Sequence, residues 1–248
     1  NYRIIEIYKI ITIMKHQKLS LMLTIIFCIF YLIVPIVPDI QIVRPKLFII
    51  ELLTFLALTI FIFFTILEGT FYYRKATIFI PTTLMLIYII LHYYVSVDKA
   101  LSLVELKRWV LSFVLLFLIS VIDVKYYKWL IWCWIFGSGI AILYGYLQHL
   151  GGIWIIEVPK MERVMSMFGN PIFFAVHIIN FIPMLIGMIW VRYNTTRFDS
   201  IKNLFLIGLL FFSILTLYYT QTRAAFVGFI ISICVLIFLT IESEKKFL

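Results

Sequence analysis

About eight apolar runs, each of roughly 20 residues, follow one another along the chain, and short segments between them hold most of its charge. That recurrence limits the fold more than any single motif. A helix rising 1.5 Å per residue needs roughly 20 residues to cross the hydrocarbon of a bilayer. The pattern predicts an all-α chain, a polytopic bundle of about eight spans. They fall at 19–37, 47–67, 77–95, 103–122, 129–147, 171–191, 203–219 and 224–241. The fourth is the weakest, because Glu105, Lys107 and Arg108 sit in its first turns. The seventh and eighth lie so close that only a tight turn can join them. Composition excludes the soluble alternative. The chain is 64% hydrophobic and 13% charged, whereas soluble domains carry about 25% charged residues.

Charge sets the orientation. Cytoplasmic loops of membrane proteins are enriched in Lys and Arg. With the N-terminus inside, the outer side holds Arg44, Lys46, Lys99, Lys107, Arg108, Lys160, Arg163 and Arg223, and the other thirteen of the 21 Lys and Arg residues fall inside. Both termini are then cytoplasmic. The net charge of +9 thus reads as orientation and attraction to lipid phosphate, with no nucleic acid as partner. Residues 1–248 form one transmembrane domain with a single long outer loop, 148–170. Its Ile153-Trp154-Ile155-Ile156 patch is either an interfacial segment or a plain loop packed on helix ends. The chain begins with Asn and stops soon after an apolar run, as the N-terminal part of a longer protein would. Met14-Lys15-His16-Gln17-Lys18 resembles a natural start, which would make 1–13 upstream read-through.

Conventional catalytic patterns are missing. Cys28, Cys133 and Cys234 lie singly within apolar runs, with no metal-ligand spacing, and read as small buried hydrophobes. No Gly-rich phosphate loop or nucleophile elbow occurs. The outer side offers Asp39, Asp98, Glu105, Glu157 and Glu162 as carboxylates for base chemistry. His92 and His149 lie near span ends. Glu51 and Glu68 lie near the two ends of the second span. His177 and Asn180, three residues apart, share a face of the sixth span, for interhelical hydrogen bonding or for a cavity.

Two outer segments combine features that attract anions. In the first, Arg163-Val-Met-Ser-Met-Phe-Gly-Asn-Pro171, Asn170 is a good N-cap, Pro171 suits the first helical position and Gly169 permits a close approach. A helix start carries free N–H groups and a partial positive charge. In the second, Thr220-Gln-Thr-Arg-Ala-Ala225, Thr220 or Thr222 caps the eighth helix and Arg223 falls in its first turn. A cation there adds to a positive helix end. A phosphate held bidentately by the guanidinium would compensate, as would snorkelling to lipid headgroups.

Together these segments resemble the O-antigen ligase and O-antigen polymerase family. The resemblance rests on Arg163…Ser166-Met-Phe-Gly-Asn-Pro171-Ile-Phe-Phe-Ala175 and Thr220-Gln-Thr-Arg-Ala-Ala225-Phe-Val-Gly228, and covers roughly 160–230. Ile172 stands where the family often has Asn, Thr222 where it has Ser, and Ala224 where it has Gly. The family's proposed catalytic His belongs to a loop downstream of these motifs, and His177 is not that residue. The resemblance implies a membrane glycosyltransferase at the outer face of a bacterial inner membrane. It would move glycan from a polyisoprenyl (undecaprenyl) pyrophosphate donor to a polysaccharide or lipid acceptor, without metal or nucleotide sugar. Arg223 and Arg163 would hold the pyrophosphate, with Asn170, Thr222 and His177 lining the substrate site. The competing readings are a transporter of a small solute or lipid-linked glycan, and a scaffold without catalysis.

Overall fold

The computed structural model describes residues 2–39, 45–69, 71, 77–153, 156–195 and 200–245, with side chains placed over 17–39, 45–69, 71, 77–153, 158–190 and 201–238. Arg44, Arg74, Lys75, Trp154 and Ile155 lie outside the described residues, so the apolar patch of the 148–170 loop is seen only at its edges. The chain is helical nearly throughout. Its helices are α1 (Tyr2–Ile36), α2 (Pro45–Glu68), α3 (Phe79–Val95), α4 (Lys99–Val121), α5 (Val124–Leu150), α6 (Pro171–Thr195), α7 (Ser200–Tyr219) and α8 (Arg223–Lys245).

Five segments are long and apolar enough to cross a membrane: Gln17–Ile36, Pro45–Glu68, Val124–Leu150, Pro171–Trp190 and Ile201–Tyr219. Between 17% and 44% of each is buried within the protein. The remaining apolar surface needs a non-aqueous solvent, which makes this a multi-pass membrane protein. α3 and the apolar part of α8 are shorter. α4 starts earlier than its hydropathy predicts, because Asp98 caps it by accepting the Leu101 N–H at 2.9 Å. That start adds Lys99 to the Glu105, Lys107 and Arg108 already expected in its first turns, and α4 is not among the five apolar spans.

The helices gather into two compact units. The first comprises residues 1–31 and 47–133. Its core is built from Leu19, Leu23 and Phe27 of α1, Ala57 and Phe61 of α2, Leu118 of α4 and Leu130 of α5. Phe61 meets Phe117 edge-on at 5.3 Å, a favoured aromatic geometry. Ser20 Oγ accepts the Asp123 N–H at 2.8 Å, fastening α1 to the α4–α5 link. Glu51 pairs with Lys107 at 2.8 Å across α2 and α4. Cys28 and Cys133 are half-buried free thiols, while Cys234 is exposed on α8 rather than buried as expected.

The second unit comprises residues 32–46 and 134–248. Here α6 packs on both α7 and α8. Its buried face, Phe174, Ala175, Ile178, Phe181, Ile182 and Leu185, follows the helical period. Gly145 lets α5 come close: a Cβ there would lie 2.7 Å from the Phe174 ring. The 151–170 connection contains a short hairpin, β1 (Gly152–Ile153) pairing antiparallel with β2 (Ile156–Glu157), then a 3-10 turn, Ser166–Phe168. The sequence reading anticipated no strand, since two-residue strands carry no period.

Candidate site at the helix ends

Arg163, Asn170, Thr222 and Arg223 belong to the second unit, at or beside the ends of α6, α7 and α8, with His177 two turns into α6; of the candidate bases, Asp98 and Glu105 fall in the first unit. Asn170 Oδ1 accepts the Ile172 N–H at 2.8 Å, and Pro171 opens α6, as the capping pattern predicts. Gly169 has φ +65°, and a Cβ on it would lie 2.2 Å from the Asp39 carbonyl oxygen. The close approach expected of this glycine is therefore to backbone. Asp39 N–H also donates to the Met167 carbonyl at 2.8 Å. The stretch after α1 is thus pinned against the turn that starts α6.

The turn itself is held from below. Ser166 takes φ +51° and is buried. Its N–H donates to Gln148 Oε1 at 2.7 Å and its hydroxyl to the Ala141 carbonyl at 2.5 Å. These bonds satisfy a buried polar side chain on a strained backbone.

The second segment makes the tight turn expected of it: Tyr219 ends α7 and Arg223 begins α8, with Gln221 at φ +49°. The capping expectation is corrected. Thr220 Oγ1 donates to the Leu217 carbonyl at 2.7 Å and Thr222 Oγ1 to the Thr220 carbonyl at 3.2 Å. Both threonines are buried and turn their hydroxyls back toward the carbonyls at the end of α7, joining the Thr220 N–H on the Leu217 carbonyl. No described hydroxyl accepts an N–H of α8. The Ala225 N–H donates to the Thr222 carbonyl at 2.9 Å, whereas the Arg223 and Ala224 N–H groups find no partner among the described residues; Arg223 is exposed with no hydrogen-bond or ion-pair partner among the described residues.

The two segments meet. Val164 N–H donates to the Tyr219 carbonyl at 3.1 Å, Arg163 Nε to the Thr220 carbonyl at 3.4 Å, and Gln221 Nε2 to the Glu162 carbonyl at 3.4 Å. The Arg163 loop therefore lies along the turn that presents Arg223. His149 supports this junction by stacking on Tyr219, ring centroids 3.5 Å apart.

His177 takes the interhelical role. Its Nε2 lies 3.0 Å from Ser138 Oγ on α5, and its ring sits 4.8 Å from that of Phe168. Asn180 separates from it: it is exposed and donates to the Val176 carbonyl of its own helix at 2.9 Å.

Lys46 was read only as one more outer cation. It is 7% exposed. Its Nζ lies 3.6 Å over the Phe168 ring and 3.3 Å from the Pro35 carbonyl. Buried Lys without a paired acid is rare, and hydropathy at a span boundary gives no hint of it. No family model matches the chain, and no curated protein or solved structure matches it.

Proposed function

We propose that the protein is a polysaccharide ligase- or polymerase-like glycosyltransferase. On this reading it spans a bacterial inner membrane eight times, with both termini in the cytoplasm and α3, α4 and α8 crossing along with the five longer spans. It moves glycan from a polyisoprenyl pyrophosphate to an acceptor at the outer face.

The observation that supports this most is the junction of the two motifs. Arg163 and Arg223 lie in segments far apart in sequence that hydrogen-bond to each other through Tyr219 and Thr220. Arg223 stands at a helix start whose N–H groups no described hydroxyl claims. Free N–H groups and a guanidinium together suit a pyrophosphate. As the glycosidic bond breaks, negative charge grows on the leaving oxygen, and a fixed cation stabilises that state more than the ground state. The lipid pyrophosphate is already an activated leaving group, so this role needs no nucleotide sugar.

Complementation with Arg223→Ala and Arg223→Lys tests it, with surface polysaccharide read by gel and protein level by blot. Loss of polymer in both, at normal expression, supports bidentate phosphate binding. Normal polymer in both removes Arg223 from the mechanism.

A further inference from the structure

α3 and α4 belong to the first unit and pack on each other across the short turn at 96–98. Between them lies a cavity of about 320 Å³. Thr82, Met85 and Leu86 of α3 form one wall, and Trp109, Ser112 and Phe113 of α4 the other. Each wall has one small hydroxyl residue set among bulky ones, which leaves the space between the helices unfilled. On the side away from the turn, Phe79 packs on Phe113, ring centroids 6.2 Å apart.

The walls offer little to water. The Thr82 hydroxyl donates to the Ile78 carbonyl at 2.8 Å and the Ser112 hydroxyl to the Arg108 carbonyl at 2.9 Å, so each serves its own helix. An apolar cavity stays dry, and an engineered one of about 150 Å³ takes up benzene. Met85 and Trp109 are exposed, and α3 has no buried residue. The cavity therefore opens sideways, and around a multi-pass membrane protein the medium there is lipid.

Polarity along the two helices sets the level of the cavity. On α4 the stripe Glu105, Arg108, Trp109, Ser112 and Phe113 follows the spacing of one helix face and turns from charged to apolar at Trp109. On α3, Tyr88, His92, Tyr93 and Tyr94 lie on the turn side of Leu86, with apolar residues beyond. Trp and Tyr gather where headgroups meet hydrocarbon. That boundary falls near Arg108. The cavity starts on its hydrocarbon side and follows α4 for about 10 Å, from Trp109 to Leu116.

The charges near the boundary cancel. Arg108 pairs with Glu105, and Lys107 pairs with Glu51 of α2. Asp98 caps α4, and Lys99 beside it donates to the Tyr93 and Tyr94 carbonyls that end α3. These three acids and three bases leave no net charge, so an anionic headgroup finds each cation already answered. A headgroup with both an ammonium and a phosphate can instead exchange partners with the half-exposed Glu105–Arg108 pair, charge for charge.

We propose that the cleft between α3 and α4 binds a zwitterionic phospholipid, with one acyl chain in the cavity, the ammonium on Glu105 and the phosphate on Arg108. This site is separate from the transferase reading, whose residues belong to the second unit.

The test uses the full chain purified in detergent, with phosphatidylethanolamine and phosphatidylglycerol of identical acyl chains as probes. Native mass spectrometry follows the bound lipid. Phosphatidylethanolamine is expected to bind more tightly by roughly two- to fivefold, the range of a part-exposed ion pair. Ser112→Phe and Thr82→Leu occupy the cavity and should each weaken binding about tenfold, the worth of roughly two buried methylenes. Glu105→Gln combined with Arg108→Gln should remove the preference between the two lipids. In the unaltered chain, a phosphatidylethanolamine with a photoreactive diazirine on its acyl chain should label Met85, Leu86, Trp109 and Phe113. Equal or tighter binding of phosphatidylglycerol to the unaltered chain overturns the proposal, as do folded cavity-filling variants that bind as before. Where a variant does not fold, the labelling decides: labels spread evenly over exposed apolar residues such as Phe55 and Val235 overturn the proposal as well.

Discussion

Gly169 and Asp39 touch through backbone alone: the glycine's α-carbon faces the Asp39 carbonyl so closely that a methyl group there would lie 2.2 Å from the oxygen. With φ at +65°, Gly169→Ala incurs both the left-handed penalty and a steric overlap. The loss of stability should be about 2 kcal/mol or more. Thermal unfolding in detergent checks it; an unchanged midpoint would mean that the two strands of the junction part without cost.

Asn170 offers a milder perturbation at the next position. Its side chain caps α6 by accepting the Ile172 N–H. Asn170→Ala should cost about 1 kcal/mol, while Asn170→Asp or Asn170→Ser should cost much less. Urea titration of the detergent-solubilised protein resolves the three. Equal losses would show that the cap is not what holds the helix start.

Gly145 governs the approach of α5 to α6. A Cβ would come within 2.7 Å of the Phe174 ring and 3.1 Å of Val164. Gly145→Val should destabilise by about 1–3 kcal/mol through overpacking. A companion Phe174→Leu substitution should recover part of it, and failure to do so would place the strain elsewhere.

The Ser138–His177 contact, 3.0 Å between Oγ and Nε2, is suited to a double-mutant cycle. Interhelical hydrogen bonds within membranes couple by only about 0.6 kcal/mol on average. Ser138→Ala and His177→Ala should show coupling of that order. A value near zero would leave His177 supported by its aromatic neighbours Phe168 and Phe181 instead.

Local signals were legible in the sequence, and long-range ones were not. The cap at Asn170, the proline at the start of α6 and the tight turn before Arg223 all depend on residues a few positions apart. Five of the eight expected spans follow from hydropathy for the same reason. The threonine hydroxyls were misassigned because Thr220 and Thr222 lie between two helix ends. Which end they serve depends on how α7 finishes. Lys46 and Asp39 were named only as one outer cation and one of five outer carboxylates, because what sets them apart lies in what packs around them. Phe168, the Met167 carbonyl and Gly169 reach them from a loop more than a hundred residues away in sequence.

The backward turn of Thr220 and Thr222 gives the α7–α8 link a polarity of its own. One helix is sealed by it and the other is left open. Thr222→Asp would place an anion just ahead of α8, where a carboxylate is favoured by the helix end. On the transferase proposal, such a chain would carry its own occupant where the phosphate binds, and a better-capped helix and a working site would be competing designs.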